Sequence, residues 1–153
     1  MQVTAVVSKP DYTLPSHFNL PALCSIHHRR RRAALISTRV FIDHIVAYSF
    51  DVSKAMLGAS QRGPAPVALA RQVGMYLAHV ECGLTLTQVG HLYARDRTTV
   101  AHACALIEDR RDCAALDYQL ELLGAAVAYH HRCALSAVEA QACATGNDEE
   151  GAA

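Results

Sequence analysis

The feature that most restricts the fold is a pair of helical patterns joined by a tight turn in residues 85–108, TLTQVGHLYARDRTTVAHACALIE. Thr85, followed three residues later by Gln88, forms a capping-box pattern, which predicts that a short helix begins there. Residues 94–96 then predict a turn, with the last of them, an aspartate, as the N-cap of a second helix over about 97–111. Two helices with this spacing are typical of a helix-turn-helix.

The rest of the chain also follows helical rather than strand periodicity. Apolar residues recur at three- and four-residue steps over about 35–50, 66–80 and 116–135. No alternating pattern of useful length indicates a strand, and 52% of the residues are hydrophobic, enough for a core. The sequence therefore predicts an all-α fold: a compact multi-helix domain with a helix-turn-helix, plus an extra C-terminal helix.

We divide the chain into four predicted segments. They are a mostly disordered basic arm over residues 1–34, a helix-turn-helix domain over 35–116, an additional helix over 117–142 and an acidic disordered tail over 143–153. The additional helix has an apolar face and is marginal on its own in water, so tertiary packing must hold it. It either folds back on its own domain or pairs with a second copy through residues 117–140.

The net charge is zero at pH 7, but the charge is unevenly distributed. Residues 1–39 hold six basic and one acidic side chain, a net charge of +5, whereas residues 112–153 hold one basic and seven acidic side chains, a net charge of −6. A basic front predicts a polyanionic partner at that end of the chain. The run His27-His28-Arg29-Arg30-Arg31-Arg32 is either a solvated tether or a contact to phosphates.

Several classes of protein are disfavoured by the sequence. The six cysteines form no CxxC pair, the N-terminus lacks a secretory pattern, and no run approaches 18 apolar residues, which predicts a cytoplasmic protein without a membrane span. His79 and Cys82 share a helix face but lack further ligands at metal-site spacing. No nucleophile–base–acid set stands out. We therefore expect no enzyme activity, no cofactor and no bound metal.

The stretch ARQVGMYLAHVECGLTLTQVGHLYARDRTTVAHACALIED resembles the C-terminal DNA-binding domain (domain IV) of the bacterial chromosomal replication initiator DnaA. The resemblance spans about residues 38–116, and its most specific part is the run RDRTTV at 95–100. The family's ATPase module is absent, since no GxxxxGK[ST] pattern occurs. The resemblance thus implies a stand-alone helix-turn-helix protein. It also implies sequence-specific binding of double-stranded DNA that regulates transcription or the initiation of chromosome replication, in the cytoplasm at the nucleoid.

The residues expected to contact DNA combine the chemistry of a recognition helix with the positions that match the family. Side chains in the first turn of such a helix can reach base edges or phosphates in the major groove. Two further residues, at 71 and 72, resemble the family's phosphate contacts. The predicted DNA-binding residues are Arg62, Arg71, Gln72, Arg95, Asp96, Arg97, Thr98, Thr99 and His102.

The chain departs from the family pattern at three places. Ala94 alone stands where the family has two glycines, and Arg97 replaces a histidine. The loop at 61–66 carries only Arg62, where the family has several basic residues. The depleted loop favours an alternative function, a protein-interaction factor that modulates a replication initiator or another regulator with only weak DNA binding. The intact run at 95–100 favours DNA binding.

Overall fold

The computed structural model describes residues 20–59 and 63–144, and within them every element of secondary structure is helical. The predicted all-α fold is confirmed. None of the described helices is both long and apolar enough to cross a membrane. The helices of the described residues are α1 Leu20–Ser49, α2 Lys54–Gly58, α3 Ala65–Val80, α4 Leu86–Tyr93, α5 Arg97–Arg110 and α6 Ala114–Ala144.

Helix α1 is longer than the sequence predicted. Residues 20–34 were expected to belong to a disordered arm, but they are helical, so that part of the prediction is wrong. Arginine, alanine and leucine are strong helix formers, and the run after His28 is made mostly of these residues. Pro21 lies in the first turn, where a helix needs no backbone N–H from it. The predicted disorder of residues 1–19 and 145–153 lies outside the described residues.

Helix α3 is the centre of the core, and most of its second half is buried. A helix that is apolar nearly all round must be covered on several sides, and α1, α4 and α5 all pack against it. Tyr76 of α3 donates a hydrogen bond to Glu108 Oε1 of α5 at 2.7 Å and accepts one from Arg111 Nη1 at 3.0 Å. Burial is the main cause that raises the pKa of this tyrosine. The contacts fix the second helix of the helix-turn-helix on the core.

Helices α1 and α6 pair antiparallel along most of their length. Gln119 near the start of α6 donates to the carbonyl of Ser49 at the end of α1 at 3.1 Å, while His131 lies 3.1 Å from Thr38 Oγ1. The Thr38 hydroxyl donates to the Ala34 carbonyl at 2.9 Å, so His131 Nδ1 is the donor to Thr38. Burial, and then the neighbouring His130, lower the pKa of His131, which keeps this buried imidazole neutral.

The C-terminal helix therefore folds back on its own domain, one of the two arrangements left open by its sequence. Leu120, Leu123 and Val127 are buried and belong to the same apolar cluster as Ile42 and Val46 of α1. The helix begins three residues before the predicted boundary at 117, a difference of less than one helical turn.

Candidate nucleic-acid interface

Helix α4 begins at the capping box that the sequence predicts. The Thr85 hydroxyl accepts a hydrogen bond from the Gln88 backbone N–H at 3.3 Å, and Gln88 Oε1 accepts one from the Thr85 backbone N–H at 2.8 Å. Two N–H groups that would otherwise lack partners at this helix end are thus satisfied. The prediction of a short first helix over residues 86–93 is confirmed.

An arginine of α1 holds the other end of α4. Arg39 Nη1 donates to the carbonyl of Leu92 at 2.7 Å, and its guanidinium lies 3.7 Å from the centre of the Tyr93 ring. Asp43, one turn along α1, pairs with Arg39 Nε at 2.7 Å and so fixes the orientation of the guanidinium. The Tyr93 hydroxyl in turn donates to the Gly74 carbonyl at 3.0 Å. These contacts fix the end of α4 to both α1 and α3.

The turn between α4 and α5 is tight. Ala94 has the left-handed conformation, with φ +50° and ψ +50°. The N–H groups of Ala94 and Arg95 both point to the carbonyl of Gly90, the second at 2.9 Å. Gly90 itself packs against the turn, because a Cβ built there would lie 2.6 Å from the Arg95 carbonyl oxygen. The predicted turn at 94–96 is confirmed, and it depends on the missing side chain at residue 90.

Ala94 is a strained residue, and its replacement by glycine is a test of the turn. A left-handed conformation costs an L-residue about 1–2 kcal/mol, of which the greater freedom of glycine in the unfolded chain offsets about 0.4–1 kcal/mol. We expect Ala94→Gly to raise the free energy of unfolding by up to about 1 kcal/mol. The control is Ala105→Gly at an exposed position of α5, which should lower it by about 1 kcal/mol. Urea denaturation measures the free energy of unfolding of both variants. An equal decrease in both would show that residue 94 is unstrained.

Helix α5 has one face fixed in the core and its first turn exposed. Asp96 occupies the N-cap position, as predicted, but its side chain makes no capping hydrogen bond. Arg97, Thr98 and Thr99 are exposed, whereas Val100 is completely buried. Val100 thus anchors the start of α5 in the core. Since the anchor directly follows the three polar residues, their positions relative to the core are fixed.

The start of α5 and the outer side of α4 enclose an open concavity of about 470 Å³. It brings together four of the predicted site residues, and Thr98 and His102 are exposed beside it on α5. Thr87 and His91 of α4 also line it, and the sequence reasoning missed both. Their spacing of four residues within the predicted first helix places them on one face and could have indicated them. The lining residues are Thr87, Gly90, His91, Ala94, Arg95, Asp96, Arg97 and Thr99.

Arg71 and Arg95 converge on the end of α2. Arg71 Nε donates to the Leu57 carbonyl at 3.0 Å and its Nη2 donates to the Met56 carbonyl, while Arg95 Nη2 donates to the Ala59 carbonyl at 3.2 Å. Positive charge at the C-terminal end of a helix is favourable. Burial, and then the charge of Arg95, lower the pKa of Arg71. The two guanidiniums therefore have a structural role.

The remaining predicted site residues are not part of the concavity. Gln72 is half-buried on α3, next to Arg71. Arg62 lies outside the described residues. The concavity therefore offers arginine, threonine and histidine donors together with one carboxylate, all around the N-terminal end of α5. Such an end favours anions because its first backbone N–H groups point outward and the helix dipole is positive there.

Comparison with known proteins finds similarity over the same part of the chain. Residues 41–107 match the family described as bacterial DnaA protein helix-turn-helix. The curated relatives include the chromosomal replication initiator protein DnaA of Bordetella pertussis, 46% identical over 66 residues. The proteins of the same name from Mesorhizobium japonicum and Burkholderia multivorans are 42% identical over 69 residues and 37% identical over 84 residues.

These matches cover 42%, 44% and 54% of the chain, but only 14%, 14% and 16% of the respective relatives. The shared part begins inside α1 and ends within the last turn of α5. It therefore contains the concavity, the turn at Ala94 and the anchored start of α5. Residues 20–40 of α1 and the whole of α6 lie outside the family match. The chain is thus similar to the bacterial DnaA helix-turn-helix family over residues 41–107.

Proposed function

We propose that the chain binds double-stranded DNA in a sequence-specific manner through α4 and α5. The observation that carries this is the start of α5, where Arg97, Thr98 and Thr99 are exposed directly before the buried Val100. In helix-turn-helix proteins the N-terminal residues of the second helix contact base edges, and the first helix crosses the sugar-phosphate backbone. Arg97 would contact a guanine or a phosphate, and Asp96, which is not used in capping, would accept from a cytosine amino group.

The other residues of the proposed interface act around this centre. Arg95 and His102 flank the exposed turn of α5, and His91 faces it from α4. Arg71 and Gln72 lie farther back on α3, and Arg71 supports the end of α2 as well as adding positive charge. We propose that these residues, with Arg62 in the preceding loop, contact phosphates and position the protein.

The names of the relatives support a proposal for the biological setting. They are named chromosomal replication initiator proteins, and the shared segment is the helix-turn-helix. We propose that this chain regulates transcription or the initiation of chromosome replication by binding initiator-type sites on the bacterial chromosome, in the cytoplasm at the nucleoid.

Replacement of Arg97 tests the proposed interface. Arg97→Ala should weaken binding to a specific duplex by about 1–3 kcal/mol if the side chain contacts a base, and should relax specificity at that position. Arg110→Ala is the matched control, since it removes the same charge from the other end of the same helix. Binding is followed by fluorescence anisotropy on a site selected from random duplexes. If both variants bind like the parent chain, the start of α5 is not the DNA-binding surface.

A second candidate function is a protein-interaction factor that modulates a replication initiator or another regulator. The outer face of α6 favours it, because Tyr118, Leu122 and Tyr129 are 64%, 56% and 66% exposed. A homodimer through residues 117–140 would have to use this face, since Leu120 and Leu123 already pack inside the domain. Failure of the parent chain to bind any duplex at low salt would favour this function over DNA binding, and sedimentation of the full chain would show whether it dimerises.

A further inference from the structure

The arginine run of α1 carries four positive charges, and no acidic residue in the described part of the chain pairs with them. Arg29, Arg31 and Arg32 are exposed and Arg30 is half-buried. In the described part of the chain, the ion pairs are those of Arg39 with Asp43 and of Arg111 with Asp117, so the run takes part in none. Because the run is helical, its side chains have fixed directions. His28, Arg31 and Arg32 lie on one face, at spacings of three and one, and Arg30 lies on the opposite face.

This face of α1 borders a second open cleft of about 460 Å³. Leu35, Leu84 and Leu135 supply apolar surface along which the arginine stems can lie. Among the residues that the structure describes, no acidic one lines the cleft. The lining residues are His28, Arg31, Arg32, Leu35, Cys82, Gly83, Leu84, Gln88, His131 and Leu135.

The charge of the cleft comes from its two arginines. Burial lowers the pKa of His131, so its imidazole stays neutral. Burial, and then the neighbouring Glu81, raise the pKa of the Cys82 thiol to about 11, so it stays protonated. Glu81 points elsewhere, since its Oε1 lies 2.7 Å from the position of a Cβ built on Gly124 of α6. Arg31 and Arg32 thus line a cleft whose other described lining residues carry no negative charge.

Helix α4 separates this cleft from the concavity at α5. Gln88 lines the cleft, whereas Thr87 and His91 line the concavity. When the second helix of a helix-turn-helix enters the major groove, the first helix lies across the adjoining backbone. A sugar-phosphate backbone that crosses the start of α4 would therefore contact Arg31 and Arg32 on the far side of that helix.

We propose that Arg31 and Arg32 form a second phosphate-binding surface that contacts the sugar-phosphate backbone of the same duplex beyond α4. The inference rests on the proposed binding of DNA by α4 and α5 and extends that contact. The surface lies outside the family match, which begins at residue 41. It supplies positive charge that the loop at 61–66, with Arg62 as its one basic residue, does not. It reads no bases, because arginines on a phosphate backbone position a protein without sequence information.

The experiment compares two double variants of the full chain. Arg31→Ala with Arg32→Ala removes two charges from the face that lines the cleft. Arg29→Ala with Arg30→Ala removes two charges from the same helix away from that face. Binding to one duplex is measured between about 50 and 200 mM salt. The first variant should lower the slope of log affinity against log salt by about two units, one for each phosphate contact, and the second should lower it much less.

Duplex length gives an independent readout. A duplex extended by one helical turn, about 10 bp, beyond the α4 side should bind the parent chain more tightly than the short duplex, and the Arg31/Arg32 variant should gain nothing from the extension. Equal salt slopes for the two double variants, or an equal gain in affinity from the longer duplex in all chains, would contradict the proposed second surface. If the parent chain binds no duplex at all, the proposed function fails instead. Circular dichroism should show unchanged helix content in both variants, since arginine and alanine are both strong helix formers.

Discussion

Replacing Gly90 by alanine is expected to disrupt the helix-turn-helix and to abolish most of the DNA binding. The new Cβ would lie 2.6 Å from the carbonyl oxygen of Arg95 and 3.6 Å from the backbone nitrogen of Arg97. Backbone atoms cannot move aside as a flexible side chain can, so the turn must shift and carry the start of α5 with it. We expect a loss of about 1–3 kcal/mol in the free energy of unfolding, typical of overpacking. Affinity for DNA should fall more than about tenfold, equivalent to 1.4 kcal/mol.

Gly58→Ala is the matched control. A Cβ on Gly58 meets nothing within 4 Å, and the residue ends α2 without a positive φ. The same substitution there should leave DNA binding unchanged and raise the free energy of unfolding by about 0.4–1 kcal/mol. The same substitution, glycine to alanine, is therefore expected to lower the free energy of unfolding at residue 90 and to raise it at residue 58. Denaturant titration and anisotropy measure both quantities, and a stable, DNA-binding Gly90→Ala protein would contradict the tight packing of the turn.

The second large effect concerns the packing of α6 on the domain. Leu120 is 3% exposed and lies in the main apolar cluster, so Leu120→Ala should leave a cavity and lower the free energy of unfolding by about 2–5 kcal/mol. Such a loss is a large share of the total stability of a small domain. We expect the thermal midpoint to fall by several degrees, measured by circular dichroism at 222 nm.

Leu122→Ala provides the comparison, two residues away on the same helix. Leu122 is 56% exposed, so its truncation should change the stability by no more than about 0.5 kcal/mol if the chain is a monomer. A loss as large as that of Leu120→Ala, together with a concentration-dependent midpoint, would show that the outer face of α6 is buried between two copies. Equal and small losses in both variants would mean that α6 does not dock on α1.

The sequence predicts the helix-turn-helix well because its signals are local. Thr85 and Gln88 satisfy each other within one helical turn, and Val100 is the apolar residue between two polar stretches, so no distant contact is needed to assign them. The resemblance to a known family, carried by the run at 95–100, added the expected fold of the surrounding domain. The sequence also showed that the turn differs from that of the family, since Ala94 alone stands where the family has two glycines.

The parts that the sequence did not predict depend on distant residues. The N-terminal half of α1 was assigned to an arm because of its prolines. It is instead part of one continuous helix, against which α6 packs through contacts such as that of His131 with Thr38, 93 residues apart in the chain. The carbonyl contacts of Arg71 depend on where α2 ends, 14 and 15 residues earlier in the chain. A pattern that matched phosphate contacts in a family could not show that the same guanidinium also supports α2.

Helix α1 has a geometric consequence for any duplex that the protein binds. Arg31 of the second cleft and Arg39, which holds the end of α4, lie eight residues apart on one uninterrupted helix, a separation of about 12 Å along its axis. The helix thus holds the arginine face at a fixed distance from the helix-turn-helix. A duplex that occupies both surfaces must have a backbone path that fits this fixed spacing. Stiff or wrongly curved sequences would be penalised at base pairs that no side chain touches, so DNA curvature would contribute to site selection without any direct reading of bases.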